Sequence, residues 1–155
     1  MFHKKVLIHS TPAMVRLPDG RVAPSAKMYP LEWWAEVLKA LPEHQFFQIG
    51  MQGDPVINGA MVYFNMDEAG IRALAAKCEY IVCCDSFLQH MLAPTYRKII
   101  VLWSKSNPDI FGYSHNTNLL KDKELLRPDQ YGIWPQCPYD PNAFIDYRIL
   151  VDLIR

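Results

Sequence analysis

Short apolar runs bounded by proline, glycine and acidic residues alternate along this chain with stretches whose apolar positions recur every three or four residues. Val6, Leu7 and Ile8 run into His9, Ser10, Thr11 and Pro12, which predicts a buried strand ending near Ser10. Thr11 to Ala26 carries three prolines and an Asp19-Gly20 turn pair, and reads as a long loop or a small hairpin. Pro30 opens a helix in which Leu31, Trp34, Val37, Leu38 and Leu41 recur at helical spacing until Pro42 stops it. Phe46, Phe47 and Ile49 form a second strand that empties into Gly50-Met51-Gln52-Gly53-Asp54-Pro55. An extended piece at Met61 to Phe64 precedes a helical stripe of Ile71, Leu74, Ala75 and Cys78, with Asp67 and Glu68 in its first turn.

Tyr80 to Cys84 reads as the next strand, followed by the capping residues Asp85 and Ser86 and a helix carrying Leu88, His90 and Met91 that Pro94 terminates. Ile99 to Trp103 is a further strand, and Ser104 to Asn118 a polar, proline-bearing loop. Residues 121–141 show no regular pattern and are expected to wrap the surface. A C-terminal helix is expected from about Asn142, with Phe144, Ile145, Ile149, Leu150 and Ile154 as its apolar face. Strands alternating with helices predict an α/β fold, a mostly parallel sheet with helices on both faces, in a single domain over 1–155.

Composition narrows the function classes. Half of the 155 residues are hydrophobic, enough for one compact core. Sixteen Lys and Arg against sixteen Asp and Glu remove any broad electrostatic case for nucleic acid or an anionic membrane, so a small-molecule partner is expected. No apolar run approaches the ~20 residues of a membrane span, and the apolar stretch near the N-terminus is too short for a signal peptide, which points to the cytoplasm. Cys78, Cys83, Cys84 and Cys137 show neither zinc-ligand nor redox spacing; they are expected to be reduced and mostly buried, and no metal is expected.

The densest chemical signal is Asp85-Ser86-x-x-x-His90 at a strand-to-helix junction. A helix start exposes backbone N–H groups, and a hydroxyl with an imidazole one turn later adds donors, the makings of a phosphate cradle. Asp85 is expected to cap the helix and accept backbone N–H bonds that hold the turn. The plainer alternative is that Asp85 caps, Ser86 is ordinary and His90 is a core or surface histidine.

Four ordered segments resemble the family-nine, heptosyltransferase-like glycosyltransferases. Lys27-Met28-Tyr29-Pro30-Leu31-Glu32-Trp33-Trp34 resembles their Lys-x-Trp/Tyr-Pro-x-x-x-Trp segment. Asp85-Ser86-Phe87-Leu88-Gln89-His90-Met91 resembles Asp-Ser/Thr-Gly-x-x-His-Leu. Gln48-Ile49-Gly50 with Asp54 and Asn58-Gly59 resembles the turn after the second strand, and Ile100 to Trp103 through Asn107-Pro108 the last strand and its loop. The resemblance implies a Rossmann-like domain, the nucleotide-sugar-binding half of a GT-B fold. It further implies that Lys27 contacts a diphosphate as a point charge, that Ser86, His90 and backbone N–H groups complete the phosphate site, and that Asp54 or Gln52 meets the ribose hydroxyls.

The chain departs from the family pattern at Phe87, where relatives carry glycine, at Pro94, and at Ser104, where glycine is frequent. Phe87 is expected to narrow the approach of a pyrophosphate unless it turns into the core or stacks on the ligand. The family's catalytic base lies in an acceptor-binding domain for which 155 residues leave no room, so no residue here is nominated as catalytic. The expected function is nucleotide-sugar binding, in glycosyl transfer only with a separate acceptor-binding domain or as part of a split enzyme. The alternative is an inactive interaction module that uses Trp33, Tyr113, Trp134 and Tyr139 on a protein partner. A hydrolase or phosphatase lacks a second acid, metal cluster or nucleophile elbow.

Overall fold

The computed structural model describes residues 3–12, 15–16, 18–23, 25–95 and 97–155. Six strands form one sheet: β1 (Lys5–His9), β4 (Gln45–Gly50), β5 (Met61–Phe64), β6 (Tyr80–Cys84), β7 (Ile100–Leu102) and β8 (Thr117–Leu119). Their order is β5-β4-β1-β6-β7-β8, and every pairing in this sheet is parallel. Taken in chain order, the sheet strands run third, second, first, fourth, fifth, sixth, the order of a Rossmann fold. Between β1 and the first long helix, β2 (Val15–Arg16) and β3 (Val22–Ala23) make an antiparallel pair, so the hairpin form of the proline-rich segment is the one adopted. Pro24 lies outside the described residues.

The alternation within β1 explains the two-sided core. Val6 and Ile8 face one layer with Trp34 and Val37 of α1 (Leu31–Ala40) and Leu150, Val151 and Ile154 of α5 (Tyr147–Ile154). Leu7 faces the other, with Ile71 and Ala75 of α2 (Glu68–Ala76) and Leu88 and Leu92 of α3 (Phe87–Leu92). Both faces of a parallel strand must be covered, which is why β1 and β6 read as unbroken apolar runs. All four cysteines are free thiols and buried, as expected.

Three expectations need correction. The segment read as a loop through Asn118 contains a one-turn helix, α4 (Pro108–Phe111), and then β8 from Thr117. β8 escaped notice because Thr-Asn-Leu is half-buried at the sheet edge and has no apolar run; its ladder to β7 places it. The C-terminal helix begins at Tyr147 behind the Asp146 cap, whose side chain accepts from the Arg148 N–H; Asn142 belongs instead to a 3-10 turn at Pro141–Ala143. Its buried face is Leu150, Val151 and Ile154, while Ile149 is exposed. In residues 121–141 the regular elements are 3-10 turns at Lys123–Leu125, Trp134–Gln136 and, at the end, Pro141–Ala143. Buried Gln130 ties this segment down: its Nε2 donates to the carbonyls of Lys105 (2.9 Å) and Arg127 (2.7 Å), and its Oε1 accepts from Asn107 N (2.8 Å).

Candidate functional site

Chain direction across the sheet reverses between β1 and β6, so the loops leaving their carboxyl ends diverge and open a crevice. A cavity of about 730 Å³ lies there, within the range of a small-molecule site. Its polar wall includes His9, Lys27, Asp85 and Ser86. Its apolar wall includes Ile49, Met51, Tyr63, Met66 and Ile71, and Asp54, Phe87, Trp134 and Pro135 also line it.

Lys27 is held by its loop. Ser104 Oγ donates to Ala26 O (2.7 Å), and the Tyr29 hydroxyl donates to Trp103 O (2.7 Å) while accepting from Ile145 N (3.2 Å). Ser104 therefore anchors the lysine loop to the end of β7. Burial pushes the Tyr29 phenol well above its ordinary range, against a smaller downward pull from the Ile145 N–H bond, so it serves as a neutral strut.

Asp85 does not cap α3, contrary to expectation. Its Oδ2 pairs with Lys27 Nζ at 2.8 Å and its Oδ1 accepts from Gln89 Nε2 at 2.8 Å. A carboxylate buried to this degree needs a full positive charge to offset desolvation, and neutral backbone N–H groups compete poorly for it. Ser86 takes the N-cap position without a side-chain cap bond; its Oγ lies 2.8 Å from His9 Nδ1 instead. Burial lowers the His9 pKa to about 4, against a smaller upward pull from Asp54, so the imidazole is neutral at physiological pH. Phe87 stays out of the core: it is 46% exposed, lines the cavity and meets the His9 ring edge-on at 4.7 Å.

At the apolar end, Asp54 Oδ2 accepts from Met51 N (2.8 Å) and fixes the turn after β4. Gly50 permits this approach, since a Cβ there would lie 2.5 Å from Asp54 Oδ2. Four of the six expected site residues thus meet in one cavity: Lys27, Asp54, Asp85 and Ser86. Gln52 is exposed outside it, and His90 is exposed on α3 with its Nδ1 2.8 Å from the Tyr113 hydroxyl. His9 was the residue sequence reasoning passed over; the signal was a polar side chain at the end of the central strand, where the strand order later proves to reverse. Among the described residues, no group of three His, Cys, Asp or Glu side chains could hold a metal ion.

Strand order, parallel pairing and the crevice at the switch point define a Rossmann-like domain. No family model and no curated protein matches the sequence. Solved structures of similar fold include heptosyltransferases. The E. coli heptosyltransferase WaaC with ADP aligns at TM-score 0.54 and 18% identity, covering 75% of this chain and 37% of that one. The E. coli ADP-heptose LPS heptosyltransferase II aligns at 0.59 and 18%, covering 97% and 47%. The dodecameric iron-containing heptosyltransferase TibC, solved with ADP-D-β-D-heptose, aligns at 0.56 and 15%, covering 99% and 42%. The chain therefore spans less than half the length of each of these proteins.

Proposed function

We propose that this chain binds a nucleoside diphosphate sugar in the cleft at the carboxyl edge of its sheet. It would act in glycosyl transfer together with an acceptor-binding domain. The observation that carries the reading is the position of Lys27: a cation fixed at the switch point of a GT-B half, lining a cavity of about 730 Å³ beside the Ser86 hydroxyl. α3 has only six residues, so its dipole adds little, and Lys27 carries the attraction for phosphate. Asp54 lines the same cavity, with no hydrogen bond on its Oδ1 among the described residues, and would meet the ribose hydroxyls, while Met51, Tyr63 and Met66 offer an apolar bed for a base. ADP in WaaC and ADP-D-β-D-heptose in TibC are ligands of this chemical class.

Calorimetry with ADP, UDP and GDP sugars tests the proposal. Binding of one of them, reduced by Lys27→Ala and unaltered by His90→Ala, is the expected result. No binding at millimolar ligand, or binding indifferent to Lys27→Ala, refutes it and leaves the interaction-module alternative. The chain by itself is expected to transfer no sugar.

A further inference from the structure

The charge of the cleft does not suit a diphosphate as it stands. Its lining holds Lys27 against Asp85 and Asp54, with His9 neutral, so one negative charge remains in excess. Lys27 is already engaged by Asp85 at 2.8 Å. A diphosphate brings further negative charge, and a site that takes it needs another cation.

The segment wrapped over the cleft mouth carries one. The indole of Trp134 lines the cavity, and two cations face it: Lys27 Nζ at 4.4 Å and Arg127 Cζ at 5.1 Å from the ring centroid. A ring face is a neutral substitute for an anion, because its quadrupole presents negative potential to a cation. The third cation nearby, Lys105, is committed to Asp140 at 3.5 Å. Arg127 has no ion pair among the described residues, and its Nη1 is buried without a hydrogen-bond partner. A buried guanidinium nitrogen left unsatisfied costs free energy that an incoming oxyanion would recover. Its backbone is fixed: Arg127 N donates to Lys105 O (2.9 Å), and Gln130 Nε2 donates to Arg127 O (2.7 Å). Cys137, buried under the same turn, registers the positive corner: burial pushes its thiol up, and Arg127, Lys105 and Lys27 each oppose that push.

We propose that Arg127 is the second cation of the diphosphate site, and that Trp134, the ring both cations now face, gives up its place to the phosphates when ligand enters. The inference rests on the nucleotide reading above and adds to it a residue outside the cavity wall and a movement. Arginine suits the role, because its planar fork can hold two phosphate oxygens while the Lys27 ammonium holds a third.

The test is calorimetry on the full chain with ADP, inorganic pyrophosphate and adenosine, for the unmodified protein, Arg127→Gln and Arg127→Lys. Arg127→Gln should weaken ADP and pyrophosphate about tenfold and leave adenosine unchanged, with Arg127→Lys recovering part of the loss. The part of the tryptophan emission that Trp134→Phe removes should shift on adding ADP but not adenosine. Equal weakening of ADP and adenosine would assign Arg127 a structural role and overturn the proposal, as would unchanged ADP binding in both variants. An emission indifferent to ADP overturns the displacement of Trp134. If the unmodified chain binds neither pyrophosphate nor any of ADP, UDP and GDP, the nucleotide reading falls and this inference with it; if a nucleoside diphosphate binds and Arg127 is irrelevant, only this inference falls.

Discussion

Where β1 and β6 end, the cleft wall is ionised and hydrogen-bonded, with Lys27 on Asp85 at 2.8 Å and His9 on Ser86 at 2.8 Å. Where β4 and β5 end, it is Ile49, Met51, Tyr63 and Met66, with Asp54 as the charged residue and its carboxylate folded back onto a turn. The two halves differ in what holds them. The ion pair and the His–Ser contact of the first half join residues distant in sequence, Lys27 to Asp85 and His9 to Ser86, so removing one leaves a buried or half-buried partner unsatisfied. The second half is local: Asp54 bonds within its own turn, and its apolar neighbours come from consecutive elements. A ligand that satisfies both halves is amphipathic, with an anionic end at β1 and β6 and a flat or apolar end at β4 and β5.

Substitutions that act on one half only should separate these roles. The largest effect is expected from Lys27→Ala, which removes the cation and leaves Asp85 charged and buried. Diphosphate affinity should fall about a hundredfold, and chemical denaturation should show a loss of about 3 kcal/mol. Lys27→Ala with Asp85→Asn should restore much of the stability but none of the binding; recovery of both would show that the pair is structural only.

His9 gives the next largest effect, on stability alone. Its folded pKa of about 4 lies below the ordinary value of 6.5, so the unfolded chain takes up a proton that the folded chain refuses. Its contribution is therefore complete above pH 6.5 and is lost as pH falls toward 4, by about 3 kcal/mol in all. Urea unfolding across that window should become flatter in His9→Gln; an unchanged slope would place the acid sensitivity elsewhere.

Asp54→Asn belongs to the other half. Nucleotide affinity should fall about tenfold, while inorganic pyrophosphate, which lacks a ribose, binds no more weakly than before because a negative charge has left the cleft. Equal weakening of both ligands would move Asp54 to the phosphate end. The smallest effect is expected from Gly50→Ala. Its Cβ, 2.5 Å from Asp54 Oδ2, should push the carboxylate off Met51 N at about 1 kcal/mol in thermal unfolding. It should also weaken nucleotides in the direction of Asp54→Asn.

The strands and helices that bury a whole side were legible, because burial imposes a period. β1 and β6 are covered on both faces and appear as apolar runs, and α1 and α2 present one stripe each. β8 was not legible, since Thr117 to Leu119 is half-buried and owes its strand form to the ladder with β7. In the site, Lys27, Asp85 and Ser86 stood out through motifs, yet their bonds, Lys27 to Asp85 and Ser86 to His9, did not: Asp85 looked like a cap because Asp before a helix caps more often than it pairs. His90 and Gln52 had the right residue types but lie outside the cavity lining, His90 against the Tyr113 hydroxyl and Gln52 exposed in the turn after β4.

By itself, the order of residues determined the α/β alternation, the two-sided core and the loops from which the site is drawn, because periodicity and turn chemistry act over a few residues. Only the tertiary structure decided that His9 and Ser86, 77 positions apart, are neighbours, that Lys27 is spent on Asp85, and that Trp134 reaches back over the cleft to face Lys27 and Arg127. Those contacts follow from strand order. Placing β6 beside β1 sets the switch point, and a charge buried there takes whichever opposite charge the fold brings within reach.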